Sequence, residues 1–512
     1  MILLACATPI FADPISKLAA PGANGRLAYT PYDSQGDKIA DFSSCGYGAG
    51  GVKIPDVATK ATLSPIPGSA DDTPRIQAAL DAVAKLPVDA LGFRGAVLLN
   101  HGNYKCAASL KINASGVVLR GEGDDENGTV ITASAPRQYS LVEVGGSSRP
   151  REIKDTRVSI TDAYVPVGAR SFTVSDAKGL GVGQTVFVIR HSNPAWIHEI
   201  GMDRIKPRPG HPEETKQWTP FELPFDRVIT AINGNQVTVD VPILCAIDQK
   251  WGGGSLARYD DSSRIEKCGI EFLRGVSAYD VAKTADYRGE KVPTDENHAL
   301  YIVHFDNVRN AWARHLVSVS FYHGVATMAD GSKSVTVSDC NALDPVSEIT
   351  GGRRYAFDIA GQQILVERCH TRRARHAFVF SARVPGPNVF LDCSSEKDYA
   401  TSEPHHRWSV GGLYDNVHAE MAFQDRQWMG SGHGWAGANY VAWNCEGSVV
   451  CQQPPTAQNF AIGFVGKKAK GAFDRPDGWW ESEGHHVSPR SLYLQQLQDR
   501  LGATAVANAE SK

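Results

Sequence analysis

The chain has 512 residues, 42% of them apolar, and a formal net charge of −4 at pH 7. A chain of this length and composition buries a large core, and its near balance of charges gives no basic field of the kind that nucleic acid requires. Its 49 glycines and 28 prolines favour a turn-rich, all-β fold over a helical one.

The chain begins with a short apolar run, residues 1–13, that ends in small residues and has no preceding positive charge. The run is similar to the remnant of a signal peptide cut near Ala12, or of a lipoprotein signal whose lipidated residue is Cys6. We therefore expect a secreted, periplasmic or surface-anchored protein. No other stretch of the sequence is long and apolar enough to predict a membrane span.

Residues 40–157 are predicted to form the first coils of a solenoid. Thr73 is a suitable N-cap and Pro74 suits the first helical position, so residues 71–85 are expected to form a helix that caps the open end. Short apolar strands follow, and glycines mark the corners between them.

Residues 158–247 do not follow the strand spacing of the coils, because their predicted strands are spaced as in hairpins. Asn233 and Gly234 form a turn signal between two of these strands. We predict an inserted antiparallel β subdomain here. Its loop, which carries Trp196 and Trp218, is expected to overhang a groove.

Residues 262–450 contain a repeated short strand that ends in a small residue, usually cysteine, and recurs about every 24 to 29 residues. One such strand cannot bury its apolar face alone but can do so by stacking on the next, which is typical of a parallel β-helix. The six repeats that we recognise are residues 264–271, 310–317, 335–342, 364–371, 389–396 and 440–447.

The cysteines follow the same period. Cys340, Cys369 and Cys393 are predicted to stack as reduced thiols inside the coils. Cys445 and Cys451 are the best candidates for a disulfide, since loops predominate near the end of the solenoid. Residues 451–512 are predicted to be a loop tail followed by a cap helix at 489–501, with Ser488 as its N-cap.

Several segments of the first part resemble the pectin-lyase-like (pectate lyase) superfamily. They are DFSSCGYGAGG at 41–51, the Asp71–Asp72 entry to the cap helix, GAVLLNHGN at 95–103 and GVVLRGEG at 116–123. The resemblance implies a right-handed parallel β-helix over most of residues 40–450. That superfamily includes lyases, hydrolases, epimerases and phage spikes, so the fold does not settle the reaction.

Polar residues crowd into residues 344–435. Arg354, Arg383 and Arg407 each lie 14 residues after the cysteine of their coil, so equal loop lengths would stack them about 5 Å apart. Arginine grips carboxylates through two parallel hydrogen bonds. The pattern therefore predicts a groove for a polymer of uronic acids, unless these arginines only pair with neighbouring acidic residues at the surface.

A histidine pair, His405 and His406, lies in the same region. It can work as acid and base, bind a metal or form a structural hydrogen bond, but no zinc signature accompanies it. His433 stands in a Gly-His-Gly that is similar to one polygalacturonase motif. The other residues of that motif are missing, so His433 is interpreted as a turn or substrate contact.

These observations predict a polysaccharide lyase that acts by β-elimination on an acidic polysaccharide. A glycoside hydrolase or transglycosylase with two carboxylates among Asp344, Glu348, Asp358 and Glu403, or a non-catalytic carbohydrate-binding solenoid, are the alternatives. No metal site or cofactor is predicted, calcium is left open, and the sequence indicates no oligomeric state. The predicted catalytic residues are His405, His406, Tyr355, Arg407 and Arg354, and the predicted substrate-binding residues are Arg353, Arg375, His376, Arg383, Trp408, His433 and Trp435.

Overall fold

A computed structural model describes residues 14–511 of the chain. The predicted signal or lipid-anchor residues, including Cys6, lie outside the described residues. None of the described helices has the length and apolar character that crossing a bilayer requires. The α-helices are Thr73–Ala84, Pro194–Glu199, Met429–Gly432, Leu492–Leu501 and Ala503–Glu510.

The main body is a parallel β-helix, which confirms the predicted fold class. The coils contribute strands to three series, although not every coil has a strand in all three, and the strands of neighbouring coils pair in parallel. The first series comprises Thr59–Leu63, Gly95–Leu99, Val117–Arg120, Ile265–Glu266, Gly269–Ser277, Val308–Val319, Lys333–Ser338, Ile364–Glu367, Asn388–Leu391, Gly412–Asp415, Val441–Trp443, Phe460–Ile462 and Trp479–Glu481.

Two long strands, Gly269–Ser277 and Val308–Val319, run from the first series into the second. The other strands of the second series are Gly102–Cys106, Thr129–Ala133, Asn341–Leu343, His370–Arg372, Ser394–Glu396, His418–Phe423, Glu446–Cys451 and Val465–Lys468. The third series comprises Leu110–Ile112, Val142–Gly145, Tyr301–Asp306, Gly324–Met328, Tyr355–Ile359, His376–Phe380 and Glu403–Pro404.

A single residue in the left-handed region turns the chain from the first series into the second. The φ angles of these corner residues are 54° at Asp339, 51° at Arg368, 50° at Asp392, 54° at Asn416 and 50° at Asn444. Such angles are uncommon for residues other than glycine. The side chain after each corner points into the interior core, namely Cys340, Cys369, Cys393, Val417 and Cys445.

The interior cysteines are free thiols, as predicted, and the disulfide considered for Cys445 and Cys451 is wrong, because both are free and buried. Cys451 ends the extended strand Glu446–Cys451, which begins just after Cys445. Six extended residues span about 20 Å, whereas a disulfide needs α-carbons within about 7 Å.

The helix Thr73–Ala84 covers the first coils with Ile76, Leu80 and Val83. The predicted start of the last helix is wrong: it begins at Leu492, and the Ser491 hydroxyl accepts from the Leu494 N–H at 3.0 Å. This helix packs on the outer side of the first series, not over the end of the coils.

An antiparallel sheet interrupts the coils, and it extends beyond the predicted residues 158–247 on both sides. Asn233 pairs with Gln236 across the predicted turn. The strands of the sheet are Arg151–Glu152, Val158–Ser159, Ser171–Thr173, Thr185–Arg190, Leu223–Asn233, Gln236–Val239 and Gly254–Asp260, and a separate pair is formed by Tyr164–Val165 and Ile247–Asp248.

A buried ion network fastens this antiparallel sheet to the coils. The carboxylate of Asp226, 1% exposed, accepts from Lys333 at 2.6 Å, from Tyr259 at 2.6 Å and from Arg264 at 2.7 Å. Burial alone raises a carboxyl pKa, but Lys333 and Arg264 hold the pKa of Asp226 below its usual value. The network therefore depends on the ionised carboxylate.

We predict that Asp226→Asn lowers the free energy of unfolding by about 3–5 kcal/mol, because it leaves the buried Lys333 ammonium without its counter-ion and Arg264 with Asp261 alone. Urea denaturation measures the change. Asp155→Asn, at an exposed carboxylate 4.0 Å from Lys154, is the matched control and should shift stability by no more than about 0.5 kcal/mol. Equal stabilities for the two variants would contradict the prediction.

Candidate active site

A cleft of about 600 Å³ opens where the third series of strands ends. We call it the histidine cleft. Three arginines line it and, among residues 14–511, no carboxylate does, although the whole chain is slightly acidic. Its lining comprises Arg208, Thr350, Gly351, Gly352, Tyr355, Arg375, Ser381, His405, His406, Arg426, Trp428, Met429, Gly430 and His433.

Coil stacking brings the central residues together. Tyr355 and His376 are register partners on neighbouring coils, and the His405 N–H donates to the carbonyl of Phe380 on the coil before it, at 2.8 Å. Arg426 lies one coil further along. Residues that are 21 to 50 positions apart in sequence therefore meet at one edge of the β-helix.

A chain of hydrogen bonds connects Tyr355, His405 and Glu403. The Tyr355 hydroxyl lies 3.0 Å from Nε2 of His405, and Nδ1 of the same ring lies 2.9 Å from the Glu403 carboxylate. Both rings are buried, and Glu403 is only 2% exposed. This arrangement fixes the orientation of the imidazole beneath the tyrosine.

Arg426 determines which ring nitrogen of His405 carries the proton. Its Nη1 donates to Glu403 at 2.6 Å and to the carbonyl of His405 at 2.7 Å. These two bonds use both hydrogens of Nη1 and leave none for Nδ1 of His405, which lies 2.8 Å away, so we assign the ring hydrogen to Nδ1, which donates it to Glu403. Nε2 is then free of hydrogen and accepts from the Tyr355 hydroxyl.

Burial keeps the histidines of the cleft neutral. It lowers the pKa of His405 and of His376 well below the usual value. Burial, together with the nearby arginines, also lowers the pKa of His406 to about 4 and that of His433 to about 2. Burial raises the pKa of Tyr355. At neutral pH the site therefore holds uncharged imidazoles and an uncharged phenol.

Some buried polar atoms around the cleft have no hydrogen-bond partner among the described residues. They are Nε2 of His376, Nδ1 of His406, Nδ1 of His433 and Nε of Arg426. The rings of His406 and His433 are 4.8 Å apart, and those of His405 and His433 are 5.0 Å apart. Native proteins leave few such atoms unsatisfied, so a polar ligand is the natural partner for this group.

A metal ion fits this cluster poorly. Potential ligand atoms of His376, Glu403 and His405 lie within 4.8 Å of one another. The guanidinium of Arg426, however, lies 2.6 Å from Glu403 and 2.8 Å from Nδ1 of His405, so a positive charge already stands beside both ligands. Calcium needs six to eight oxygen ligands, and none of the carboxylates that the structure describes lines the histidine cleft.

The predicted stack of Arg354, Arg383 and Arg407 does not form. Eleven residues, 344–354, connect the second series to the third in one coil, but only residues 373–375 do so in the next. Arg354 is therefore aligned with Arg375. Its guanidinium is buried and donates to the carbonyls of Ser347 and Pro293, away from the histidine cleft.

Arg383 and Arg407 are neighbours, since the Arg383 N–H donates to the Arg407 carbonyl at 3.1 Å, but neither lines the histidine cleft. The guanidinium of Arg383 lies 4.2 Å from the ring centre of Phe221. Arg407 donates to the Ser431 hydroxyl at 2.7 Å. The two residues are aligned as the sequence predicts, but Arg383 contacts an aromatic ring, with its Nε unpaired among the described residues, and Arg407 contacts a hydroxyl.

The predicted aromatic contacts need correction as well. Trp408 is fully buried against Trp196, with ring centres 4.8 Å apart, so it offers no face to a sugar. Trp435 is 2% exposed and lines a separate cleft, not this one. Arg353 forms an ion pair with Glu296. Of the predicted residues, the structure brings together Tyr355, Arg375, His376, His405, His406 and His433.

Arg426, Arg208 and Trp428 were absent from the predicted site, and Glu403 appeared only as a possible ion-pair partner or hydrolase carboxylate. Arg426 follows Glu403 by 23 residues, which is about one coil. The repeat length alone could therefore have predicted that these two residues lie on neighbouring coils. Arg208 comes from the antiparallel subdomain, which has no sequence repeat from which its position beside the cleft could be predicted.

No family model matches the sequence, and no curated protein does. Among solved structures, a tailspike of an Acinetobacter baumannii bacteriophage, in complex with a capsular saccharide, is 12% identical with a TM-score of 0.44. A tailspike of a Pseudomonas phage is also 12% identical, with a TM-score of 0.45. An alginate lyase from a Paenibacillus species is 10% identical, with a TM-score of 0.35.

The matches cover 79%, 77% and 84% of this chain, in that order. The chain spans 57% of the length of each tailspike and 99% of the lyase. Such low identities and TM-scores transfer no function. The parallel β-helix is established by the chain's own strand pairing.

We predict that acid weakens the folded protein through His406 and His433. An unfolded histidine titrates near 6.5, whereas burial lowers the pKa of His406 to about 4 and that of His433 to about 2. Between pH 6.5 and 4 the unfolded chain binds more protons than the folded one, so the free energy of unfolding falls as the pH falls.

Replacing both histidines by asparagine should reduce the proton uptake on unfolding near pH 5 by about two protons. The slope of the unfolding free energy against pH measures this uptake. At pH 8 the variant and the natural protein should show the same slope, which is the internal control. Equal slopes at pH 5 would contradict the prediction.

Proposed function

We propose that the protein is a polysaccharide lyase that cleaves a uronic-acid-containing polymer by β-elimination. The observation that carries this proposal is the hydrogen bond from the Tyr355 hydroxyl to Nε2 of His405, whose ring is oriented by Glu403. It offers a proton acceptor and a proton donor at one edge of a cleft lined by arginine.

Tyr355 and His405 share the proton transfers. The phenolic oxygen takes the C5 proton of the uronate while its own proton passes to Nε2 of His405, and Glu403 stabilises the resulting imidazolium. The electron pair of the C5–H bond forms the C4–C5 double bond. The C4–O bond breaks, and its oxygen leaves with a proton returned through Tyr355.

The carboxylate beside C5 must be neutralised so that charge can develop on it. Arg375 and Arg208 line the histidine cleft from opposite parts of the chain, the coils and the antiparallel subdomain. The unsatisfied Nδ1 atoms of neutral His406 and His433 add donors whenever they carry the ring hydrogen. Among residues 14–511 no carboxylate lines the cleft, but Glu214, outside the lining, forms an ion pair with Arg208, so Arg375 is the arginine without a carboxylate partner.

The carboxylates considered for hydrolysis do not form a pair in the histidine cleft. Asp344 forms an ion pair with Arg372, and Glu348 lies 3.9 Å from Arg353. Asp358 accepts from Ser381 at 2.9 Å. Glu403 lies behind His405 and is held by Arg426. Hydrolysis needs two carboxylates that flank the scissile bond, so these contacts favour elimination.

We predict that Tyr355→Phe and His405→Gln each lower kcat on a polyuronate by about 10² to 10⁴, the usual contribution of a general acid or base. The appearance of the unsaturated uronate, followed by its ultraviolet absorbance, measures turnover. Tyr287→Phe, at a tyrosine of the Thr284–Tyr287 strand outside the cleft, is the matched control and should keep full activity.

Two results would contradict the lyase proposal. New reducing ends without ultraviolet absorbance would show hydrolysis. Binding of polyuronate without any cleavage would show a carbohydrate-binding solenoid. Screening pectic, alginate, glucuronan and glycosaminoglycan polymers in both assays separates these outcomes.

A further inference from the structure

A second cleft, of about 560 Å³, lies on the other side of a short segment of the antiparallel subdomain, residues 204–208. We call it the proline cleft because Pro454, Pro455 and Pro476 line it. Arg204 and Lys206 line the proline cleft, whereas Arg208 lines the histidine cleft. The neighbouring residues Gln427 and Trp428 are also on opposite sides, because Gln427 lines the proline cleft and Trp428 lines the histidine cleft. The two clefts therefore share one partition.

The partition is held firmly. Ile205 is 3% exposed, and the side chain of Gln217 bonds both its N–H, at 2.7 Å, and its carbonyl, at 2.9 Å. The following residues are tied to the coils, because the Lys216 N–H donates to the Ser431 carbonyl and the Trp218 ring N–H donates to the Gly432 carbonyl. The cations of residues 204–208 are thus presented from a fixed backbone.

The charges on both sides of the partition have the same sign. The proline cleft is lined by Arg204, Lys206 and Arg475, against one acidic residue, Glu199. Arg204 and Arg475 already have carboxylate partners in Asp203 and Asp425. Lys206 has no hydrogen bond or ion pair with any residue from 14 to 511. Its ammonium group is therefore available to an anion.

We propose that the two clefts form one extended binding site for an anionic polysaccharide. The histidine cleft would hold the sugars at the reacting bond and the proline cleft the sugars next to them. This inference rests on the proposed function and adds the length of polymer that the site recognises. Two residues span at most about 7 Å, so Lys206 and Arg208 can contact charges of one continuous polymer.

The lining of the proline cleft suits sugars in other respects. Its prolines offer rigid apolar surfaces, and Gln427 and Gln453 offer amide donors and acceptors for hydroxyl groups. The lysine supplies long-range attraction without strict geometry. Affinity for successive acidic sugars should therefore rise with chain length until both clefts are filled.

The test uses the full chain carrying Tyr355→Phe, so that bound oligomers are not cleaved. Calorimetry measures the affinity for uronate oligomers of increasing length, from disaccharide upward, with and without Lys206→Glu. We expect the charge reversal to weaken binding of the long oligomers by about fivefold or more at low salt and to leave the shortest ones unchanged. Raising the salt concentration should shrink the difference.

Lys178→Glu, which makes the same charge change at an exposed residue lining neither cleft, is the matched control. An equal loss for Lys178→Glu and Lys206→Glu, an equal loss at every oligomer length, or no loss for Lys206→Glu would overturn the inference alone. If the parent Tyr355→Phe protein binds no uronate oligomer of any length, the proposed function fails and the inference fails with it.

Discussion

The whole architecture depends on one backbone constraint, the left-handed residue at the corner between the first and second series. Asp339, Arg368, Asp392, Asn416 and Asn444 all adopt φ near 50° there, so these five coils bend at the same point. Strand pairing then keeps neighbouring coils in register. Differences in coil length are forced into the other turns, and those turns build the histidine cleft. Because the first corner is the same in these coils, the turns at the candidate active site can differ in length without disturbing the stacking.

The electrostatics of the site follow from this placement. Four imidazoles and a phenol lie side by side, two of the imidazoles only partly buried, and burial favours the uncharged forms of all five rings. Glu403 is the carboxylate nearest to them, and Arg426 compensates its charge. An anionic substrate thus meets arginines and neutral donors without a competing acid in the lining. Such a surface is suited to recognising carboxylates in a protein that is acidic overall.

The fold was predictable because stacking requires a period, and the cysteines display it. One coil lacks the cysteine signal, since Val417 replaces cysteine after the strand Gly412–Asp415. The predicted loop tail after residue 450 is wrong in part, because two further strands of the first series lie there. The site was less predictable because counting along the chain assumes equal turns. Under that assumption Arg354 was expected to stack with Arg383 and Arg407. The strand register instead aligns Arg354 with Arg375. Contacts that the antiparallel subdomain makes with the coils, including those that hold Arg208 beside the cleft, leave no periodic trace.

The thiols inside the coils have a consequence for how the protein survives oxidants. All nine cysteines among residues 14–511 are buried, and burial raises the pKa of Cys369, Cys393 and Cys445. Oxidants attack exposed thiolates, so the finished coils protect these sulfurs. The unfolded chain has no such protection. In an oxidising compartment, the vulnerable period is the interval before the coils close, and folding must outpace cross-linking.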